Sequence, residues 1–126
     1  MTQPLALVVE DDYDATVIFE EALNAAGFDT EVIESGDEAM KRLDEATPDL
    51  VILDLHLPKV AGTSILERLR SSAKLKDTHV IVVTGDTELA DKLVQSNAFQ
   101  ILVKPVSFSQ LRDLARLLRL SGKSSL

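Results

Sequence analysis

The sequence predicts an α/β fold, a parallel sheet with helices on both faces. Short apolar runs alternate five times with longer stretches of helical spacing. Three of those runs, rich in Val, Ile and Leu, have no polar interruption, which suits strands buried on both faces. Strict β-α alternation in turn requires crossover connections and parallel pairing. A length of 126 residues is the ordinary span of one domain with one core.

The elements follow in order. The first apolar run is Leu5–Val9, and a helical stripe of Phe19, Ala22, Leu23 and Ala26 comes after it, with Gly27 placed as a left-handed stop. The second run, Val32–Ile33, leads through Glu34, Ser35 and Gly36 to a stripe of Ala39, Met40 and Leu43 that ends before Pro48. The third run is Leu50–Leu53, and Ile65, Leu66 and Leu69 form the next stripe after Gly62. Val80–Val83 precedes Leu89, Leu93 and Val94, with Thr87 a candidate N-cap. Ile101–Val103 precedes the last stripe, Phe108, Leu111, Leu114, Ala115 and Leu118. Residues 1–120 read as one domain, and residues 121–126, small and polar, as a tail or the start of a linker.

Composition narrows the function classes. A formal net charge of −8 disfavours nucleic acid or an anionic membrane as a direct partner. The absence of cysteine removes disulfides, thiolate metal sites and cysteine nucleophiles. The longest apolar runs are far too short to span a bilayer, and Met1–Pro4 lacks the features of a signal peptide. A cytoplasmic domain is the expectation.

Ligands of open parallel sheets bind beyond the carboxyl ends of the strands, where strand order reverses. The first strand ends in Glu10–Asp11–Asp12, the third in Asp54, the fourth in Thr84–Gly85–Asp86 and the fifth in Lys104–Pro105. In the flavodoxin-like order 2-1-3-4-5, strands one and three are neighbours, so Asp11 and Asp54 meet, flanked by Thr84 and Lys104. Converging carboxylates repel, which raises a pKa or calls for a cation. Hard divalent ions with oxygen ligands match, and Mg²⁺ leaves positions for water and a phosphoryl group. A lysine and a threonine hydroxyl suit the remaining phosphoryl oxygens, and the Asp54 carboxylate is a nucleophile able to form an acyl phosphate. Singly, each residue reads equally well as a helix cap or a turn. Their convergence on one end of the sheet is what points to a site.

Taken together, Leu7–Asp12, Pro48–Pro58, Val82–Gly85 and Val103–Pro105 resemble the receiver domain of two-component response regulators, and Gly62 sits where that family keeps a loop glycine. The resemblance runs from Leu5 to about Leu120. It implies a (βα)5 sandwich with Asp54 as phosphoacceptor, served by a sensor histidine kinase or a histidine phosphotransfer protein. It implies Mg²⁺ held by Asp11, Asp54 and the backbone carbonyl of His56, with Glu10 acting through water. Thr84 and Lys104 would bind phosphoryl oxygens, the Lys104–Pro105 peptide would be cis, and phosphorylation would change affinity for a downstream protein, still unknown.

Departures from the family pattern are informative. Ile101 stands three positions before the lysine, where the family carries an aromatic switch residue, and Val106 stands where an aromatic often follows the proline. Asn97–Gln100 replaces the usual acidic turn, with Phe99 a displaced aromatic. His56 and Asp86, each two residues past a site residue, are expected over the phosphoryl group as tuning positions, with the His56 side chain on the rim. His79 begins strand four, far from this end, and reads as a solvated loop residue. Leu117 and Leu120, with Arg112, Arg116 and Arg119, suggest a docking or homodimer surface on the helix 4, strand 5 and helix 5 face.

Three other functions compete. A Mg²⁺-dependent aspartyl phosphatase would want a second acid where His56 stands, and it would want a cap domain. A nucleotidyl-transfer site would want an Asp-x-Asp that His56 breaks. A phosphate-independent receiver-like binding module fits Ile101 but leaves the acidic pocket unexplained.

Overall fold

The structure, a computed structural model, describes residues 3–57, 62–94 and 100–121. Five strands alternate with five helices: β1 (Leu5–Val9), α1 (Tyr13–Ala25), β2 (Asp29–Ile33), α2 (Gly36–Glu45), β3 (Leu50–Asp54), α3 (Gly62–Ser71), β4 (His79–Thr84), α4 (Thr87–Val94), β5 (Gln100–Val103) and α5 (Phe108–Ser121). A short 3-10 turn, Ala73–Leu75, precedes β4. The strands are all parallel, in the order β2-β1-β3-β4-β5. This is the flavodoxin-like doubly wound arrangement that the alternation predicts.

Successive residues of the inner strands point to opposite faces, so each strand feeds two cores. Ala6, Val8, Leu50, Ile52, Ile81 and Val83 meet α1 and α5 through Phe19, Leu23, Leu111 and Ala115. Leu7, Val9, Val51, Leu53 and Val82 meet α2 and α3 through Ala39, Leu43, Ile65 and Leu69, with Leu89 and Leu93 of α4 packed beside them. That two-sided burial is why the apolar runs are unbroken.

Register carries the strand ends to one place. Val9 pairs with Leu53 and Asp54 with Val83, so Glu10 emerges beside Asp54. Thr84 pairs with Val103, and the Lys104 N–H donates to the Thr84 carbonyl at 2.9 Å. Asp12 caps α1, its Oδ1 accepting from the amides of Asp14 at 3.0 Å and Ala15 at 3.4 Å. Gly27 has the predicted left-handed backbone, with φ of +97°.

Several expectations need correction. β2 begins at Asp29, not Val32: as an edge strand it tolerates polar residues, Thr30 Oγ1 donating to Asn24 Oδ1 and Glu31 pairing with Arg42. His79 begins β4 as expected but is half-buried rather than a solvated loop residue, its N–H donating to the Asp49 carbonyl at 3.0 Å. Thr87 is the first residue of α4 and not its cap, which is Asp86, whose Oδ1 accepts from Leu89 N–H. Val94 lies on the outer side of α4, 56% exposed, rather than in the core stripe. Ser121 closes α5, its hydroxyl donating to the Leu118 carbonyl, so the helix takes in the first residue read as tail. Phe99 and its neighbours in the β5 approach, and Pro58, lie outside the described residues.

Candidate functional site

The turn after β1 folds the Glu10 side chain back over its own backbone. Glu10 Oε2 accepts from the amides of Asp11 at 3.1 Å and Asp12 at 3.4 Å. Its other oxygen, Oε1, lies 2.8 Å from Lys104 Nζ, and the residue is only 1% exposed. Asp54, at the end of β3, is 4% exposed; its Oδ1 accepts from the His56 N–H at 3.0 Å and its Oδ2 lies 3.5 Å from Lys104 Nζ. Asp11 stands exposed at the mouth. Glu10, Asp11 and Asp54 each offer a carboxylate oxygen within 4.8 Å of the others.

Three carboxylates and one ammonium make an unbalanced set. Burial, joined by the neighbouring Asp54 carboxyl, pushes the Glu10 carboxyl up to about 7 against the pull of Lys104. Burial works to lower the Lys104 ammonium, but its pairing with Glu10 and Asp54 outweighs this and holds it above its ordinary value. Lys104 therefore stays charged, bridging two anions, closer to Glu10 than to Asp54. The donors are hard oxygens, and a buried acid held partly against its charge is a group that a divalent cation would relieve. The residues fit Mg²⁺.

Thr84 is fully buried at the end of β4, and its Oγ1 accepts from the Asp86 N–H at 3.0 Å. Ile101 is half-buried on the α4 side of the sheet. The Lys104–Pro105 peptide is cis. His56 is exposed, with its amide committed to Asp54. The predicted set Glu10, Asp11, Asp54, Thr84 and Lys104 thus comes together at one end of the sheet. Asp86, expected as a tuning position, has a further role: its carboxylate caps α4.

Sequence reading missed two supports. A Cβ on Gly62 would lie 2.5 Å from Leu55 Cα and 2.8 Å from the Asp54 carbonyl oxygen, so the first turn of α3 is seated directly on the end of β3. Only a residue without a side chain permits that approach. Beside the site, Ala15, Ile18 and Phe19 of α1 face Pro105 and Val106 across a groove of about 410 Å³. Tyr13 and Val17, also on α1, are exposed. A spacing of three from Asp86 to Leu89 was the available signal for the cap, and Tyr13, Val17 and Ile18 fall off the core stripe of α1.

Among the described residues no helix is long and apolar enough to cross a membrane. Residues 6–116 match the family model of the response regulator receiver domain. The chain is 36% identical over 110 residues to the phosphate regulon transcriptional regulatory protein PhoB of Rhizobium meliloti (strain 1021), covering 86% of this chain and 48% of that protein. It is 35% identical over 121 residues to the transcriptional regulatory protein TrcR of Mycobacterium tuberculosis (strain ATCC 25618 / H37Rv), covering 94% of this chain and 46% of that one. The chain thus spans about half the length of these curated relatives. Among solved structures, the receiver domain of Francisella response regulator 1452 superposes with a TM-score of 0.81 at 27% identity, covering 94% of this chain and 98% of that one. Sequence likeness over nearly the whole domain, the 2-1-3-4-5 sheet and the acidic cluster at its carboxyl end agree, and the chain belongs to the response regulator receiver family.

Proposed function

We propose that Asp54 accepts a phosphoryl group from a sensor histidine kinase or a histidine phosphotransfer protein, and that the acyl phosphate switches affinity for a partner protein. The observation that carries this reading is the buried Asp54 carboxylate, set among Glu10, Asp11 and Lys104. A carboxylate oxygen of Asp54 attacks the phosphorus of a phosphohistidine. The N–P bond breaks, its electron pair stays on the imidazole, and an acyl phosphate forms.

The surrounding side chains suit the developing charge. Lys104 Nζ, already within reach of Asp54, exchanges part of its contact with Glu10 for a phosphoryl oxygen. Among the described residues, Thr84 Oγ1 is used as an acceptor by Asp86, which leaves its own proton to be donated to a second phosphoryl oxygen. The His56 N–H holds the other side of the Asp54 carboxyl. Asp11, Asp54 and the His56 carbonyl would hold Mg²⁺, with Glu10 behind a water. When bound, Mg²⁺ supplies neutralising charge and oxygen coordination for the phosphoryl group.

Ile18, exposed at the groove, with Ala15, Pro105 and Val106 supplies an apolar surface for the donor as it approaches over this rim. Leu117 and Leu120 of α5 and Val103 of β5, all exposed, offer a second surface for a downstream protein or a second copy. A phosphate-independent binding module is the alternative that Ile101 favours, because a β-branched side chain cannot swing between buried and exposed as a ring does.

The test is intact mass after incubation with Mg²⁺ and acetyl phosphate, with beryllofluoride binding in parallel. The expected result is a gain of one phosphoryl group, lost in EDTA and in Asp54→Asn. Labelling retained in Asp54→Asn would overturn the site assignment. Neither an adduct nor beryllofluoride binding would favour the phosphate-independent module.

A further inference from the structure

Two structural hydrogen bonds meet on Asp86. Its N–H donates to Thr84 Oγ1 at 3.0 Å, and its Oδ1 accepts from the Leu89 N–H at 3.1 Å. Its carbonyl also accepts from the Ala90 N–H at 3.0 Å. One end of this link is a fully buried threonine at the floor of the site, and the other is the first turn of α4.

That helix is lightly held. It has eight residues, of which Ala90 alone is buried, with Leu89 and Leu93 packing from half-buried positions. A helix this short draws little stability from its own hydrogen bonds, so its cap weighs heavily in whether the first turn forms. Ile101, half-buried beside the same helix, has restricted rotamers and offers no large swinging group.

We propose that Asp86 is a positioning residue that couples Thr84 to α4, doing through a helix cap what a mobile ring at position 101 would otherwise do. The inference rests on Asp54 as phosphoacceptor. When Thr84 rotates about its Cα–Cβ bond to bring Oγ1 within donating reach of an oxygen carried on Asp54, the acceptor that holds the Asp86 amide moves with it. Residues 85 and 86 follow, and the cap on Leu89 loosens. Gly85 leaves room for this shift, since a Cβ built there would meet nothing within 4 Å.

The experiment is amide hydrogen exchange on the full chain by NMR, with and without Mg²⁺ and beryllofluoride, for the parent, Asp86→Ala, Asp86→Asn and Ile101→Val. In the parent, beryllofluoride speeds exchange at Leu89 about tenfold, the loss of roughly one hydrogen bond. Asp86→Asn keeps that response, because its amide oxygen accepts the same bond. Ile101→Val keeps it too. Asp86→Ala still binds beryllofluoride, but Leu89 exchanges fast from the start and responds no further. The proposal is overturned if Asp86→Ala retains the response, if Asp86→Asn loses it, or if the parent binds beryllofluoride with no change at Leu89. Failure of the parent to bind beryllofluoride at all would instead overturn the phosphoacceptor reading, together with the coupling built on it.

Discussion

β3 has an aspartate at each end, and the two have opposite surroundings. Asp49, just before the strand, is exposed and bonded to backbone: its Oδ2 accepts from Leu5 N–H at 2.9 Å, its N–H donates to the Leu5 carbonyl, and its carbonyl accepts from His79 N–H. It ties the starts of β1, β3 and β4 together. Asp54, at the far end, is buried and faces two other carboxylates, with Lys104 the cation beside it among the described residues. A carboxylate met by amides stabilises the fold, whereas one met by carboxylates costs free energy. The same side chain beside the same strand is bound to backbone at one end and crowded by like charge at the other.

Substitutions can break that contrast, and the largest effect is expected at the seat of the acidic end. Gly62→Ala forces a methyl group into the backbone of Asp54 and Leu55, and should cost about 2–4 kcal/mol in urea unfolding while weakening beryllofluoride binding. An unchanged midpoint and unchanged binding would mean that α3 slides freely on β3.

Glu10 sharpens the contrast through pH. Its carboxyl titrates near 7 in the folded protein against an ordinary 4.5, so the unfolded chain releases its proton first as pH rises. Stability in EDTA should therefore fall between about pH 4.5 and 7 and level off above, by up to about 3 kcal/mol. Glu10→Gln should flatten that window and leave the metal-free protein more stable than the parent at pH 8. A parent curve that rises through the window would contradict the crowding described at this end.

Asp49→Asn is the smallest change. It weakens a charge-assisted bond to Leu5 and should lower stability by about 0.5–1 kcal/mol, with beryllofluoride binding unaltered. Loss of binding there would mean that the two ends are not independent.

Much of this was legible in the sequence because buried parallel strands leave a plain mark. Leu50 to Leu53 has no polar residue, so the next residue, Asp54, had to lie at the carboxyl end of the sheet. The edge was harder to read, since Asp29, Thr30 and Glu31 carry no apolar period, and the side chains of Thr30 and Glu31 find their partners in Asn24 and Arg42. The cap of α4 was misread because Asp86 and Thr87 are both good cap residues side by side. Which of them serves depends on where β4 ends, and that is set by pairing with β5 rather than by local sequence. Gly62 could be located, but its reason could not: the contact with Leu55 exists only once α3 is folded against β3.

The contrast between Gly62 and Gly85 has a further consequence, for how such a sequence can drift. Both glycines follow a site strand, yet an added side chain would strike backbone at the first and reach empty space at the second. Neutral change over generations should hold residue 62 to a single amino acid and spread residue 85 over several, so that in a collection of descendants the one would be nearly silent and the other would record divergence.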